Sequence, residues 1–285
     1  KDGTSLKGKV VLTNGKEVDA EDAQEPISDE IYYIVYNTEN SPRLNEEVQE
    51  ITKDYKNVKI VRVHQDRVFD WERVTMLYNY VTNKEPNDWW VICDIDEFHL
   101  YPDDNLKKLI SNCNEYGWDM VRGGFIDRIG RGGEFSEITS ESTLWEQFPN
   151  AGFFRYPMSN ANPNKICVMK GYVEITSGQH YAKIEGQTTW RWQGWNHPLI
   201  NPHSFVQVHH FKWDKSCVDR IKSVADIRQD YAYSNEYQTM YENLRKNRFK
   251  IDLIKTEYQF ELGLTQPEFR RYRNWNKLIK KIISV

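Results

Sequence analysis

Apolar and polar positions alternate along this chain with periods that change from strand to helix and back. The first thirty residues are polar, but Val10-Val11-Leu12 and Val18 flank Asn14-Gly15. That dipeptide suits a two-residue hairpin, where both turn positions take positive φ. Ile31 to Tyr36 then reads as a buried strand. Ser41-Pro42 opens a helix whose apolar face carries Leu44, Val48 and Ile51. Val58 to Val63 predicts a second strand. Asp70 can cap a helix with Val74, Leu77, Tyr78 and Val81 on one face. Trp89 to Cys93 is a third strand and stops at Asp94. Strand, helix, strand, helix, strand at this spacing predicts an α/β fold with a parallel sheet. Such sheets bind ligands off the carboxyl ends of their strands, where Asp94-Ile95-Asp96-Glu97 falls.

Beyond residue 100 the pattern loosens. Asn105 to Cys113 predicts a helix, Met120 to Ile126 a strand, and Gly130, Gly132 and Gly133 a glycine-rich loop. Residues 140–205 mix short apolar runs with Trp190, Trp192 and Trp195, and Ser204 to Trp213 reads as another strand. From Ser216 the chain is mostly helical, and Thr265-Gln266-Pro267-Glu268 forms a capping box for a last helix. The expected division is an N-terminal segment with a hairpin (1–30), a central α/β domain (31–215) and a helical C-terminal extension (216–285). No internal repeat is visible.

Composition narrows the partners. With 285 residues the chain can bury one large core or two small ones. Its net charge of −4 supplies no electropositive field for nucleic acid. No run reaches the ~18–20 apolar residues of a membrane span, and no signal-peptide pattern opens the chain, so a cytoplasmic protein is expected. The final helix sets Phe269, Tyr272, Trp275, Leu278, Ile279 and Ile282 among six basic residues. Docking on the catalytic domain is the preferred reading of that stripe, and peripheral membrane contact the lesser one. Cys93, Cys113, Cys167 and Cys217 are widely spaced, which argues for reduced thiols and against a zinc ribbon. Ten Trp and seventeen Tyr could serve sugar faces or the core.

The acidic turn carries the chemistry. An apolar strand, Trp90-Val91-Ile92-Cys93, runs straight into three carboxylates at Asp94, Asp96 and Glu97. Like charges this close raise one another's pKa unless a cation compensates. Hard oxygen ligands suit Mg²⁺ or Mn²⁺, which bridge phosphate oxygens and stabilise a departing diphosphate. The plainer alternative is a chance Asp-x-Asp on a surface loop; the position after a buried strand speaks against it. His209-His210 lies on a predicted strand whose neighbours face opposite ways, so one of the two can reach such a site. Lys212 shares a face with His210 if that strand is regular, and would offset diphosphate charge. Candidate bases are Asp127, then Glu146, with Glu141 and Glu174 behind them; a salt bridge with a neighbouring arginine is the alternative for Asp127. His180, after Gly178-Gln179, is a candidate substrate contact or a packed loop residue.

At these residues the chain resembles glycosyltransferases of the GT-A fold, similar to families 2 and 92. The resemblance rests on Asp88-Trp89-Trp90-Val91-Ile92-Cys93-Asp94-Ile95-Asp96-Glu97-Phe98, with weaker matches at Phe125-Ile126-Asp127-Arg128, Gln147-Phe148-Pro149 and His210-Phe211-Lys212-Trp213. It implies a Rossmann-like nucleotide-diphospho-sugar transferase fold over residues 31–245. It also implies a UDP-sugar donor, a glycan or other hydroxyl acceptor, inverting chemistry and a Mn²⁺ or Mg²⁺ cofactor. Asp94 and Asp96 would hold metal and donor, Asp96 the more directly, and His210 would be a late metal ligand. Two segments depart from the family pattern: Asn37-Thr38-Glu39-Asn40-Ser41 after the strand at 31–36, and Val11-Leu12-Thr13-Asn14 as an opening strand. Two rival readings are a haloacid-dehalogenase-type phosphatase with Asp94 as nucleophile, against which Glu97 and Phe98 count, and a non-catalytic carbohydrate-binding protein.

Overall fold

In the computed structural model Ile34, Val35 and Tyr36 and then Trp89, Trp90 and Ile92 are buried, whereas the strand at 58–65 has no fully buried residue and leaves Val63 exposed. The structure describes residues 6–9, 30–39, 42–67, 69–154, 158–159, 164–183, 206–227, 233–254 and 258–261. Its strands are β1 (Leu6–Lys9), β2 (Glu30–Asn37), β3 (Val58–Gln65), β4 (Trp89–Val91), β5 (Glu97–Leu100), β6 (Met120–Ile129), β7 (Asn150–Phe154), β8 (Asn164–Lys170), β9 (Glu174–Ile175), β10 (Ala182–Lys183), β11 (Val206–His210) and β12 (Tyr258–Glu261). Its helices are α1 (Leu44–Thr52), α2 (Trp71–Thr82), α3 (Leu106–Tyr116), α4 (Leu144–Gln147), α5 (Lys215–Ile227) and α6 (Ser234–Lys246). Two units emerge, each drawn from two stretches of chain: Lys1–Gly123 with Asn164–Gln207, and Gly124–Pro163 with Val208–Val285.

The first unit is the predicted alternation. Strands β4, β1, β2 and β3 lie side by side in that order, all parallel. Strand β8 adds to β4 in the antiparallel sense. The strand nearest the start of the chain is Leu6–Lys9, ahead of the expected hairpin; residues 10–29, where Asn14-Gly15 falls, lie outside the described residues. The Asp70 carboxylate caps α2 by accepting from the Arg73 amide at 3.0 Å. Val74, Leu77, Tyr78 and Val81 of α2 pack with Ile34, Tyr36, Trp90 and Ile92. Val35, one residue along β2, faces the other way and meets Leu44 and Val48 of α1. Helices thus cover both faces, as a parallel sheet requires. Asn105 caps α3 at its start, and Gly117 closes it at φ 67°, a conformation that disfavours any side chain. At Gly123 a Cβ would sit 2.1 Å from the Val206 carbonyl oxygen, so only glycine lets these backbones approach.

In the second unit, β7 pairs antiparallel with the Asp127–Ile129 end of β6, and β12 pairs antiparallel with β7. Ile129, Phe154, Trp213, Cys217, Ile221, Met240 and Leu244 form its core with α5 and α6. The stretch after residue 215 is therefore not helical throughout: β12 returns as a strand paired with β7. The glycine-rich loop is sterically required at Gly133, where φ is 82° and a Cβ would meet the Ile251 carbonyl oxygen at 1.9 Å. The three tryptophans at 190, 192 and 195 and the last helix from Pro267 lie outside the described residues.

Candidate functional site

The acidic turn is anchored from behind by two buried tryptophans. Trp89 donates from Nε1 to Asn114 Oδ1 at 3.0 Å, and Trp90 from Nε1 to the Glu85 carbonyl at 3.3 Å. After Val91 the Ile92 amide still bonds to the Cys167 carbonyl at 2.9 Å, so the chain leaves the sheet only at the turn. The turn closes when the Glu97 amide donates to the Asp94 carbonyl at 3.0 Å. Asp94 Oδ1 accepts from Tyr78 Oη at 2.8 Å and from Gln179 Nε2 at 3.0 Å, while Oδ2 accepts from Lys165 Nζ at 3.1 Å. The same ammonium lies 2.7 Å from Glu97 Oε1. Side-chain exposure is 2% for Lys165, 1% for Glu97 and 27% for Asp94.

Electrostatics follow from one ammonium shared between carboxylates. Burial raises the Asp94 pKa; Lys165 opposes the rise, and Glu97 and Asp96 add to it. Burial pulls the Lys165 ammonium down, but Asp94 and Glu97 outweigh that loss and leave it above its ordinary value. Burial also pushes up the Tyr78 phenol and the Cys93 thiol, so both keep their protons.

Mn²⁺ or Mg²⁺ needs hard oxygens with open lone pairs. Among the described residues, Tyr78 and Gln179 take the two acceptor directions of Asp94 Oδ1, and Lys165 takes one of Oδ2. Asp96 is half-buried beside Asp94, and neither aspartate belongs to a group of three or more potential ligand residues among the described residues. Gln179 Oε1, in a side chain 2% exposed overall, makes no hydrogen bond and is a further acceptor beside the turn. His180 follows Gln179, and its ring lies over Gly178: a Cβ there would stand 2.6 Å from His180 Nε2.

A separate constellation stands in the second unit. Asp127 Oδ1 lies 3.0 Å from His210 Nδ1 and accepts from Trp213 Nε1 at 2.7 Å; Oδ2 accepts from the Phe154 amide at 3.1 Å. A carboxylate only accepts, so Nδ1 carries the hydrogen; in the neutral ring Nε2 is the acceptor nitrogen. The imidazole stacks on Phe125, with ring centroids 4.6 Å apart. The two histidines face opposite ways as the strand period predicts: His209 is fully buried, with its ring edge against Trp145. Arg128, the arginine next to Asp127, sends Nε to the Phe148 carbonyl at 3.0 Å and lies over the Trp145 ring.

The remaining expected residues are placed elsewhere. Lys212 falls after β11 has ended at His210, so the alternation that would align the two does not extend that far. Its ammonium lies over the Trp213 and Tyr237 rings. Glu146 is exposed and serves as the third residue of a capping box: its Oε2 accepts from the Thr143 amide and hydroxyl, both at 2.9 Å. Those bonds hold its carboxyl below the ordinary value, the wrong direction for a base at neutral pH. Glu141 is also exposed, and Glu174 lies half-buried on β9.

Three residues of the acidic cluster carry no obvious motif: Lys165, Tyr78 and Gln179. Lys165 had at most a weak signal, a lysine on the strand just before the apolar run Ile166-Cys167-Val168-Met169. Tyr78 reads as an ordinary core position of α2, and Gln179 is overshadowed by His180.

No protein-family model matches the chain, and no curated protein does. Among solved structures it is similar to a 4-diphosphocytidyl-2C-methyl-D-erythritol synthase at 11% identity and a TM-score of 0.30, over 59% of this chain and 76% of that one. Likeness at that level transfers neither fold nor activity.

Proposed function

We propose that this chain is a metal-dependent glycosyltransferase that moves a sugar from a nucleotide diphosphate, a UDP-sugar by resemblance, to a glycan or other hydroxyl acceptor. The observation that carries the reading is the built character of the acidic turn. Its carboxylates stand at the carboxyl end of a parallel strand; Asp94 is fixed by Lys165, Tyr78 and Gln179, and Glu97 by the same lysine. A chance Asp-x-Asp on a surface loop would have no such support.

By the resemblance, Asp96 would be the more direct ligand of Mn²⁺ or Mg²⁺. Asp94 shapes the turn and offers at most one oxygen. A bound ion supplies Lewis-acid stabilisation of the departing diphosphate. Lys165 holds Asp94 and Glu97 together so that the turn keeps its shape when no metal is bound. In the second unit Asp127 is a positioning residue that fixes the His210 tautomer, and His210 Nε2 is the group that can ligate a metal or take a proton. A phosphatase with Asp94 as nucleophile is disfavoured because three donors already occupy that carboxylate.

The test is release of free nucleotide from a panel of sugar nucleotides, with Mn²⁺ and with chelator, for the wild type and Asp96→Ala. Chelator-sensitive turnover, lost by at least 100-fold in the variant with its melting temperature retained, is the expected result. Equal turnover in the two proteins removes the turn from the mechanism. Phosphomonoester hydrolysis without nucleotide release supports the phosphatase instead.

A further inference from the structure

Behind the turn lies a second donor set, of a different chemical kind. The Cys93 thiol, the Glu97 carboxylate and the His99 imidazole bring one ligand atom each within 4.8 Å of the others. Cys93 and Glu97 are buried, and although His99 as a residue is half-buried its side chain is 3% exposed, that of Glu97 1%. His99 Nε2 stands 3.6 Å from Glu97 Oε2, too far for a hydrogen bond, and has no other hydrogen-bond partner. A buried ring nitrogen pointed at a carboxylate oxygen it does not reach calls for something between them.

We propose that Cys93, Glu97 and His99 bind a zinc-class divalent ion, distinct in its ligands from the Mn²⁺ or Mg²⁺ assigned to Asp96. One sulfur, one nitrogen and one oxygen are a borderline-soft set that selects zinc over magnesium. Bond lengths of about 2.0–2.3 Å at tetrahedral angles put ligand atoms roughly 3.3–3.7 Å apart. The His99–Glu97 pair, at 3.6 Å, already has that separation. The sulfur has to close by roughly 1.1–1.5 Å at most, given the 4.8 Å limit.

The surrounding groups suit the ion. Lys165 lies 2.7 Å from Glu97 Oε1, while Oε2, on the side of His99, accepts from the Asp94 amide at 3.3 Å and keeps a second acceptor direction. Tyr101 Oη lies 3.4 Å from His99 Nδ1 and can accept its hydrogen when Nε2 binds metal. In the metal-free protein the Cys93 thiol donates to the Asp94 and Glu97 carbonyls, at 3.3 and 3.1 Å. Binding replaces that proton by the ion and releases it to solvent. Charge then balances: Asp94, Glu97 and the Cys93 thiolate contribute −3, Lys165 and the ion +3. A water completes the tetrahedron. The ion would tie the end of β4 to β5 and so pin the turn that presents Asp94 and Asp96, whether or not the chain transfers sugars.

Co²⁺ titrated into the metal-stripped full chain is the probe, because thiolate ligation gives a charge-transfer band independent of any turnover. One equivalent should produce the band; one equivalent of Zn²⁺ should abolish it. Cys93→Ser should lose the band while Cys113→Ser and Asp96→Asn keep it, and His99→Gln should weaken Co²⁺ binding by at least tenfold. No band in the wild type, or a band that survives Cys93→Ser, overturns the assignment. If Cys93→Ser fails to fold, the wild-type band together with its loss of affinity in His99→Gln decides. Retention of the band alongside absent nucleotide release would leave this site standing and sink the transferase reading alone.

Discussion

Lys165 joins Asp94 and Glu97 through a side chain that is 2% exposed, so its loss would leave two carboxylates without their cation. Breaking a buried ion pair from one side costs about 3–5 kcal/mol, and Lys165→Met is expected to lose stability in that range by urea denaturation at neutral pH. The pH dependence has a definite sign. The folded Lys165 pKa lies above the ordinary 10.5, so its contribution is complete below that value and disappears as pH rises through the folded one. Asp94 works in the opposite sense: its pKa is raised above 3.8, so its ionisation costs stability, a cost absent below 3.8 and full above the folded value. The stability gap between wild type and Lys165→Met should therefore narrow above about pH 10.5. A gap independent of pH in that region would show the pair to be unimportant.

At the same scale, Asp127 and His210 form a pair whose value is orientation. Asn at 127 keeps the shape but presents an amide that can donate, which permits the other imidazole tautomer. Asp127→Asn should lower kcat by about 10–100-fold and cost about 1–3 kcal/mol of stability, because an amide turned toward His210 leaves the Trp213 Nε1 hydrogen without its acceptor. A normal kcat would show that His210 has no part in turnover.

Single elements explain why some residues that look chemical in sequence serve the backbone. Glu146 belongs to a four-residue helix, α4, whose first turn it caps with Thr143. Glu146→Ala should leave turnover within twofold of wild type, and Thr143→Ala should cost about 1 kcal/mol. Loss of turnover in Glu146→Ala without loss of structure would return Glu146 to the list of bases. The end of β11 is a second case: alternation orders His209 and His210 correctly, but the strand stops there, and Lys212 turns to the Trp213 and Tyr237 rings. Periodicity predicts which face a residue takes only for as long as the element lasts.

For the molecule as a whole, each unit is assembled from two separated stretches of sequence. A ligand that binds only the folded state stabilises it in proportion to RT ln(1 + [L]/Kd), about 2.7 kcal/mol at a hundredfold excess over Kd. Mn²⁺ and UDP added together should raise the melting temperature of the wild type, while Asp96→Ala should show no such rise. An equal rise in both proteins would place the ligand elsewhere.

The strands β2, β3 and β4, the helices α1 and α2 and the acidic turn at a strand end were all determined by the sequence alone. The hydrophobic period is a local property, repeated every two or 3.6 residues, and burial of one face enforces it. Polar partners are another matter. Lys165 reaches Asp94 across 71 residues, His210 reaches Asp127 across 83, and Gln179 reaches Asp94 across 85. Those pairings depend on which strands lie side by side and in what register, which no local pattern encodes. Tertiary structure therefore decided that the turn carries its own buried cation, and that Asp127 holds a histidine.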